Sequence, residues 1–292
     1  MQNLPLVTVI CLCYNHEKFV KEALNSVLNQ TYPNIELIIV DDNSKDLSVV
    51  EINEWINENP NFKLMLNDTN KGNTKSFNKA LSLANGDYII DLAADDILLP
   101  DCVAKQIKTF QNSIEKKLGI VYGNMNLIDE SSSFISIYYK ENEHPESGNI
   151  YNMIISRSTK ICSVSSMIKK SVFDEIGGYD ETLAYEDLDF WLRTSTEYSF
   201  QYIPDILVQK RELSTSLSAH YSKRNNKLTH NLHYTTLRIF EKMLKMNTKK
   251  EHFAIMRNRI HFEMIKFLVA REYILFLKLC KIEIIAWCKS WS

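Results

Sequence analysis

The sequence predicts an α/β protein built on a mixed, mostly parallel sheet and followed by a C-terminal helical extension. Short apolar runs typical of buried strands alternate with segments of helical period over residues 1–124. One aspartate pair directly follows a predicted strand, and a second pair follows another predicted strand after two alanines. Residues 222–292 contain neither Gly nor Pro, which favours uninterrupted helices there.

The elements follow one another regularly in the first half of the chain. Residues 6–12 form an apolar, β-branched run, and residues 17–29 repeat apolar side chains at the spacing of one helix face. Further strands are predicted at 35–40, 62–66, 88–92 and 119–122, and further helices at 49–57, 74–84 and 101–113. Strand–helix–strand units of this kind are right-handed and produce parallel strands with helices on both faces.

The alternation weakens after about residue 125. Short strands at 134–139, 164–168, 200–203 and 206–210 indicate an α+β half at the edge of the sheet. From about residue 225 the pattern is helical throughout, which predicts two or three helices.

Charge is distributed unevenly along the 292 residues, although the net charge is only −2. Residues 222–292 hold 15 Lys and Arg against 5 Glu, whereas residues 1–221 hold 19 basic and 31 acidic residues. A basic amphipathic extension can lie on an anionic membrane, or it can pack as a cap or pair two chains in a homodimer, and the sequence leaves both open. Nucleic acid is not expected as a partner, because residues 1–221 are acidic and contain no nucleic-acid-binding motif.

Six cysteines are scattered without metal-ligand spacing, which favours reduced thiols in the cytoplasm. The first residues lack a basic region before an apolar core, so no signal peptide is expected. No apolar run is long enough to span a bilayer. We therefore expect a cytoplasmic protein, with peripheral contact at the inner face of the membrane left open.

The two acidic pairs, Asp41-Asp42 and Asp95-Asp96, stand at the carboxyl ends of predicted parallel strands. Ligands of such sheets bind at that edge, so both pairs should face one crevice. Adjacent carboxylates repel each other and are stabilised by a positive partner. A divalent cation carrying a diphosphate is the partner that this pattern favours.

Several further sequence segments resemble those of a known protein family. These are residues 9–15, 26–32, 36–44, 70–72, 78–81 and 84–89, then Asp95-Asp96, Gly177-Gly178-Tyr179-Asp180 and residues 186–193. Together and in this order they resemble family 2 glycosyltransferases over residues 5–220. The resemblance implies the GT-A nucleotide-diphospho-sugar transferase fold. It also implies inverting transfer of a sugar, most often from a UDP-sugar, to a hydroxyl of a glycan or lipid-linked acceptor, as in bacterial surface polysaccharide or lipopolysaccharide biosynthesis.

The same resemblance implies a division of the chain. Residues 1–221 would form the catalytic domain, with a nucleotide-binding half at 1–124 and an acceptor-binding half at 125–221. Residues 222–292 would form the basic extension, which lies outside the resemblance.

The resemblance also implies roles for acids in the first half. Asp42 would accept a hydrogen bond from the N–H of the nucleotide base, and the nearby Tyr14 ring would stack on the nucleotide. Asp95 would meet the nucleotide and, with Asp96, bind Mn²⁺ or Mg²⁺. Ala93 replaces the first Asp of the usual motif, which puts ribose contacts in doubt. The alternative is that Asp41 or Asp42 only caps a turn.

In the second half, Asp187 would be the catalytic base that deprotonates the acceptor hydroxyl. It is expected to begin a helix, whose N-terminus would favour the ionised carboxylate. Gly178, Asp180 and Glu186 would shape or bind the acceptor, and the alternative for Asp180 is that it only stabilises a turn. Arg211 is the candidate contact to the diphosphate.

Two other classes of protein stay open at this stage. A nucleotidyltransferase has a similar sheet, but its Gly-rich opening loop is absent after the first predicted strand. A catalytically impaired relative that only binds nucleotide sugars is the second, because Ala93 and Leu213 replace usual family residues.

Overall fold

The computed structural model describes residues 4–60, 62–143, 145–156, 161–214, 220–221, 223–224 and 226–291. Its contacts divide the chain into two compact units. Unit 1 comprises residues 1–149, 161–179 and 197–212, and unit 2 comprises residues 150–160, 180–196 and 213–292. The C-terminal helices thus group with two segments that the sequence assigned to the catalytic domain. The functional boundary at 221 and 222 stays a prediction.

Unit 1 is built on a mixed sheet that, over the described residues, has nine strands in the order β3-β2-β1-β4-β8-β6-β9-β5, with β7 paired to β6. The strands are β1 (Val7–Cys13), β2 (Ile35–Asp41), β3 (Lys63–Leu66), β4 (Tyr88–Ala93), β5 (Ile97–Leu98), β6 (Leu118–Ile128), β7 (Phe134–Ile137), β8 (Met167–Lys169) and β9 (Ser199–Arg211). The helices of this unit are α1 (Val20–Leu28), α2 (Ser48–Glu58), α3 (Asn73–Leu81), α4 (Cys102–Asn112) and α6 (Lys170–Ile176).

The predicted α/β architecture is confirmed by the pairing of these strands. Strands β3, β2, β1 and β4 run parallel to one another, and β9 runs parallel to β6. Strands β8, β7 and β5 are antiparallel to their partners. The central strand β1 is buried almost throughout, which explains why its sequence is a continuous apolar run.

The sequence predicted two short strands at 200–203 and 206–210, where the structure has the single long strand β9. Pro204 separates the two apolar runs and lacks an N–H for the ladder. The register with β6 shifts here: Ile203 lies opposite Gly123, and Ile206 lies opposite Asn124. The strand therefore continues through an irregularity that bypasses the proline.

Unit 2 is helical over its described residues. It contains α5 (Tyr151–Ser156), α7 (Asp187–Thr194) and three long C-terminal helices: α8 (Lys227–Met246), α9 (Lys250–Val269) and α10 (Tyr273–Trp291). The prediction of two or three helices in the extension is thus confirmed. Within the described part of the chain, no helix is both long and apolar enough to cross a bilayer.

Four of the cysteines, Cys11, Cys13, Cys102 and Cys162, are buried free thiols, as the sequence predicted for the group. Cys280 is half-buried and Cys288 is exposed. Both belong to α10.

Candidate active site

The carboxyl ends of β2, β1 and β4 lie side by side in unit 1. Strand β1 pairs in parallel with both neighbours, and the register sets Cys13, its last residue, beside Asp41, the last residue of β2. His16 follows the end of β1, Asp42 follows β2, and Asp95 follows β4. This topology places both acidic pairs at the carboxyl edge of the sheet, and the prediction that they face one crevice stays a prediction.

Asp42 is buried and accepts four hydrogen bonds. Its Oδ1 accepts from Asn67 Nδ2 at 2.8 Å, from the Lys71 N–H at 2.9 Å and from Ser76 Oγ at 3.0 Å. Its Oδ2 accepts from the Gly72 N–H at 2.8 Å. The carboxylate therefore holds the loop before α3 and keeps one open acceptor position, at Oδ2.

The Asp41 carboxylate shapes the turn that follows β2. Its Oδ1 accepts from the Ser44 N–H at 2.9 Å, and its Oδ2 accepts from Ser44 Oγ at 2.5 Å. Ser44 Oγ also accepts from the N–H of Asn15, which has a φ of +59°. These contacts favour the turn-capping alternative for Asp41. Beside this turn the Tyr14 side chain is 42% exposed, so its ring is available to a ligand.

Asp95 and His16 form a half-buried pair at the same edge. Asp95 Oδ1 lies 3.7 Å from His16 Nδ1, and the side chains are 14% and 22% exposed. His16 Nδ1 is buried without a hydrogen-bond partner in the structure. A buried ring nitrogen without a hydrogen-bond partner, next to a carboxylate, can bind a further group such as a cation.

These two side chains fit a cation that takes its remaining ligands from a substrate. Over the described residues, no cluster of three or more His, Cys, Asp or Glu could hold a metal by itself. Mg²⁺ and Mn²⁺ are commonly held by one or two carboxylates, with phosphates and water completing the shell. In the tautomer with its lone pair on Nδ1, His16 would add a nitrogen ligand beside Asp95.

Asp96 differs sharply from its neighbour Asp95. Its carboxyl is buried, and Oδ1 accepts from the Arg211 N–H at 2.8 Å. Burial, and then the charge of Asp95, raise the pKa of Asp96 well above its usual range. This geometry favours a structural role over the predicted role of metal ligand.

Arg211 is also buried, with no exposed surface on its side chain. Its guanidinium donates to the backbone oxygens of Asp95 and Asp129, to Ser132 Oγ and to Glu22 Oε2 at 2.7–3.1 Å. Its Cζ lies 4.5 Å from the centre of the Phe19 ring. Four of its five N–H groups are thus engaged, so the geometry favours a scaffold for the Asp95 segment over the predicted diphosphate contact.

Asp91 precedes Ala93 by two residues in β4, and its side chain is half-buried. Its Oδ2 accepts from the Tyr179 hydroxyl at 3.2 Å, and burial raises the pKa of Asp91 to about 7. Ala93, in the usual aspartate position, carries no polar side chain. Asp91 therefore does not supply the missing carboxylate at the edge.

The glycine pair before Tyr179 is explained by close packing on α3. Asn78 Oδ1 accepts from the Tyr179 N–H at 2.9 Å, and Asn78 Nδ2 donates to the Tyr179 oxygen at 2.8 Å. A Cβ on Gly178 would lie 2.5 Å from Asn78 Oδ1, and Gly177 has a φ of +87°. The Phe77 ring stacks on Tyr179 at 4.3 Å. Both glycines are thus required by the backbone path.

In unit 2, Asp187 begins α7, as predicted, and Glu186 is the residue before it. Asp187 Oδ1 accepts from the Leu188 N–H at 2.6 Å. Burial raises the pKa of Asp187, against this hydrogen bond and the charge of Arg259, which lower it. The backbone N–H at the helix N-terminus favours the ionised form, as expected, but desolvation outweighs it in the net shift of the pKa.

Lys242 of α8 ties the segment before α7 to α7 itself. Its ammonium donates to Asp180 Oδ2 at 2.6 Å and to Asp189 Oδ1 at 2.5 Å, and Asp189 Oδ2 accepts from Arg193 at 2.9 Å. Although burial opposes it, hydrogen bonds from Lys242 and Thr182 lower the pKa of Asp180 to about 2. Asp180 is therefore an ionised anchor in unit 2.

Comparison with known proteins identifies the family. The sequence profile described as "Glycosyl transferase family 2" matches residues 8–177, which is more than half of the chain. The chain belongs to glycosyltransferase family 2. It is therefore an enzyme of the glycosyltransferase class.

Relatives in this family come from distant organisms. An uncharacterized glycosyltransferase of Methanocaldococcus jannaschii is 30% identical over 210 residues, which cover 71% of each chain. An uncharacterized glycosyltransferase of Haemophilus influenzae is 36% identical over 135 residues, which cover 46% of this chain and 53% of the relative.

Solved structures of glycosyltransferases share the fold. The mannosyltransferase PcManGT from Pyrobaculum calidifontis, in complex with GDP-Man and Mn²⁺, has a TM-score of 0.61 at 18% identity and covers 99% of this chain and 74% of its own. S. aureus TarS 1–349, in complex with UDP-GlcNAc, has a TM-score of 0.59 at 16% identity and covers 98% and 89%. The predicted GT-A fold is confirmed.

Three residues of this family 2 enzyme escaped the sequence argument. His16, beside Asp95, is one of them. The other two, Lys242 and Arg259, come from the extension, outside the segment that the family profile matches. Arg259 is buried and donates to the Ile154 oxygen at 2.9 Å, and its charge acts on Asp187. The sequence signal was misleading, since a basic residue in an amphipathic helix is usually solvated.

Proposed function

We propose that this glycosyltransferase moves a sugar from a UDP-sugar to a hydroxyl of a glycan or lipid-linked acceptor, with inversion at C1. The observation that carries the proposal is the shared edge of β2, β1 and β4, where Asp42, Asp95 and His16 emerge. The TarS complexes with UDP and UDP-GlcNAc and the mannosyltransferase complex with GDP-Man and Mn²⁺ are precedents for a nucleotide-sugar donor.

In this proposal the nucleotide binds at that edge. The open acceptor position on Asp42 Oδ2 takes the N–H of the base, and the exposed Tyr14 ring stacks on a ring of the nucleotide. Asp95, with His16 beside it, holds Mn²⁺ or Mg²⁺. The cation, when bound, neutralises the diphosphate and stabilises it as a leaving group.

Asp187 is proposed as the base. It takes the proton of the acceptor hydroxyl while that oxygen forms a bond to C1 of the sugar and the bond from C1 to the diphosphate oxygen breaks. Its raised pKa makes it a stronger base than an ordinary aspartate once ionised. Glu186 and Asp180 are proposed to bind or orient the acceptor, and Gly178 to shape its site.

We place the reaction in the cytoplasm, in the synthesis of a bacterial surface polysaccharide or lipopolysaccharide. Family membership and the resemblance of the motifs support this setting. The two donor-bound neighbours carry different nucleotides, GDP in one and UDP in the other. The nucleotide of the donor is therefore the first property to measure.

The test is a screen of UDP- and GDP-sugars for hydrolysis in the presence of Mn²⁺. We expect slow release of UDP from one UDP-sugar, and loss of at least about 100-fold in rate in Asp187→Asn with donor binding retained. Binding without turnover of any donor would favour the impaired relative. Pyrophosphate release from a nucleoside triphosphate and a sugar phosphate would favour a nucleotidyltransferase instead.

A further inference from the structure

Helix α10 carries two apolar faces, and only one of them is used inside unit 2. Leu275, Leu279, Ile282 and Ala286 are buried at alternating spacings of four and three residues. A second series has the same kind of spacing on the other side of the helix: Tyr273, Leu277, Cys280, Ile284, Trp287 and Trp291. We call this second series the outer seam; it runs along the whole helix.

The outer seam is open to solvent. Leu277 is 67% exposed and Trp291 is 74% exposed, and Tyr273, Ile284 and Trp287 are exposed as well. Six aligned apolar positions on one helix exceed the isolated apolar side chains that ordinary protein surfaces show. A continuous stripe of this kind indicates a surface that is covered by a partner.

Helix α9 extends the apolar surface on one flank. Its His261 Nε2 lies 3.2 Å from Glu283 Oε1 of α10, so this side of α9 faces α10. Ile265 and Leu268 follow His261 by four and seven residues and therefore lie on the same side. Both are exposed.

Among the lysines of α10, Lys281 lies beside the outer seam, four residues after Leu277 and three before Ile284, whereas Lys278 and Lys289 lie on the far side of the helix. Lys281 is exposed, and the single acid of α10, Glu283, is bound by Arg257 at 2.7 Å and by His261. Within the described ranges, Lys281 has no acidic partner. The uncompensated charge along the seam is therefore positive.

We propose that the outer seam docks on the surface of an anionic lipid bilayer, with α10 lying in the plane of the interface. Apolar and aromatic side chains would enter the headgroup region while Lys281, beside the seam, meets a lipid phosphate. Tyr273 at one end and Trp287 and Trp291 at the other are the side chains that favour this boundary. An antiparallel second copy is disfavoured, because it would bring the Lys281 side chains of both chains together.

This proposal is independent of the catalytic one, since it needs neither donor nor acceptor. The experiment is flotation of the full-length protein, under reducing conditions, with phosphatidylcholine vesicles and with vesicles that contain about one-third phosphatidylglycerol. We expect binding to the anionic vesicles only. Added salt should weaken it, because the surface potential is screened.

Two variants and their matched controls assign the binding to the seam. The double variant Ile284→Asp/Trp287→Asp should lower the bound fraction at least about tenfold, whereas Ile114→Asp, at an exposed apolar site of unit 1, should not. Lys281→Glu should weaken binding by roughly fivefold or more, and Lys116→Glu should have no effect. Circular dichroism should show unchanged helix content in all of them.

Three results would overturn the proposal. The first is a wild-type protein that does not float with anionic vesicles. The second is binding that the Ile284→Asp/Trp287→Asp variant retains in full. The third is a stable dimer, measured by analytical ultracentrifugation without lipid, that the same variant converts to a monomer, since the seam would then be the contact between two copies.

Discussion

At the start of α7 two effects act on the Asp187 carboxyl in opposite directions. The Leu188 N–H and the Arg259 charge stabilise the carboxylate, but burial disfavours it and the pKa rises. The sequence around Asp187 predicts the start of the helix. It does not predict the burial of the Asp187 carboxyl, because the residues that enclose it come from distant parts of the chain. The sequence therefore predicted one of the two effects on the pKa of Asp187, but not its burial.

A pH profile of the transfer reaction follows from this pKa. A base must be ionised to act, so log kcat/KM should fall on the acid side as Asp187 becomes protonated. Because burial raises its pKa, the acid limb should lie above the ordinary aspartate value of about 3.9. Asp187→Glu should move the limb if Asp187 is the titrating group. A rate that stays constant down to the ordinary value would contradict this assignment.

Asp91 offers a separate test based on stability. Its pKa of about 7 in the folded protein exceeds the unfolded value of about 3.9, so the folded state binds the proton more tightly. The contribution of Asp91 to stability is therefore lost as pH rises between these two values. Asp91→Asn cannot ionise, and its stability relative to wild type should increase from pH 4 to pH 8 by at most about 4 kcal/mol.

Urea unfolding of both proteins at each pH, with EDTA and without donor, measures this difference. Asp174→Asn, at an exposed acid that pairs with Lys170, serves as the control. A stability difference that does not change with pH would show that Asp91 is ionised in the folded protein throughout this range.

At the level of elements, strands and helices were predictable where one periodicity dominates. The buried strand β1 and the amphipathic helices fall within a few residues of their predicted ends, because each buries a regular face. Strand β9 was predicted as two pieces, since the sequence shows Pro204 but not the register shift opposite Gly123. The roles of Arg211 and Asp96 were also out of reach, because both depend on the meeting of the end of β9 with the segment after β4.

The ion pair that joins Lys242 to α7 predicts how a substitution of Lys242 changes stability. Asp189 is fully buried, and its carboxylate is shared between Lys242 and Arg193. Lys242→Met would leave a buried charge with one partner fewer, so we expect a loss of stability of about 2–4 kcal/mol. The value of kcat should fall as well, since Asp187 belongs to the same helix.

Lys245→Met is the matched control, because Lys245 is an exposed residue of the same helix. Lys242→Arg should restore much of the stability by keeping the positive charge. Chemical unfolding and donor turnover are measured on all three variants. Equal stability of Lys242→Met and Lys245→Met would mean that the bridge does not hold α7.

For the whole molecule, the uneven charge of the sequence corresponds to two structural units. The acidic unit 1 carries the sheet edge with Asp42 and Asp95, and the basic C-terminal helices belong to unit 2 with Asp187. The family motifs lie mostly in unit 1, so the resemblance was informative there. The extension has no such motif. Its contacts to Asp180 and Asp189, and the effect of its Arg259 charge on Asp187, became visible only in the structure.

The central claim is that acids at the carboxyl edge of β2, β1 and β4 hold a cation-bound nucleotide diphosphate. Thermal unfolding of wild type, Asp95→Asn and the exposed control Glu115→Gln, each with UDP in the presence and absence of Mn²⁺, tests it most directly. We expect Mn²⁺ to add a few degrees of UDP-dependent stabilisation in wild type and in Glu115→Gln, and little in Asp95→Asn. Full Mn²⁺-dependent stabilisation in Asp95→Asn would contradict the account.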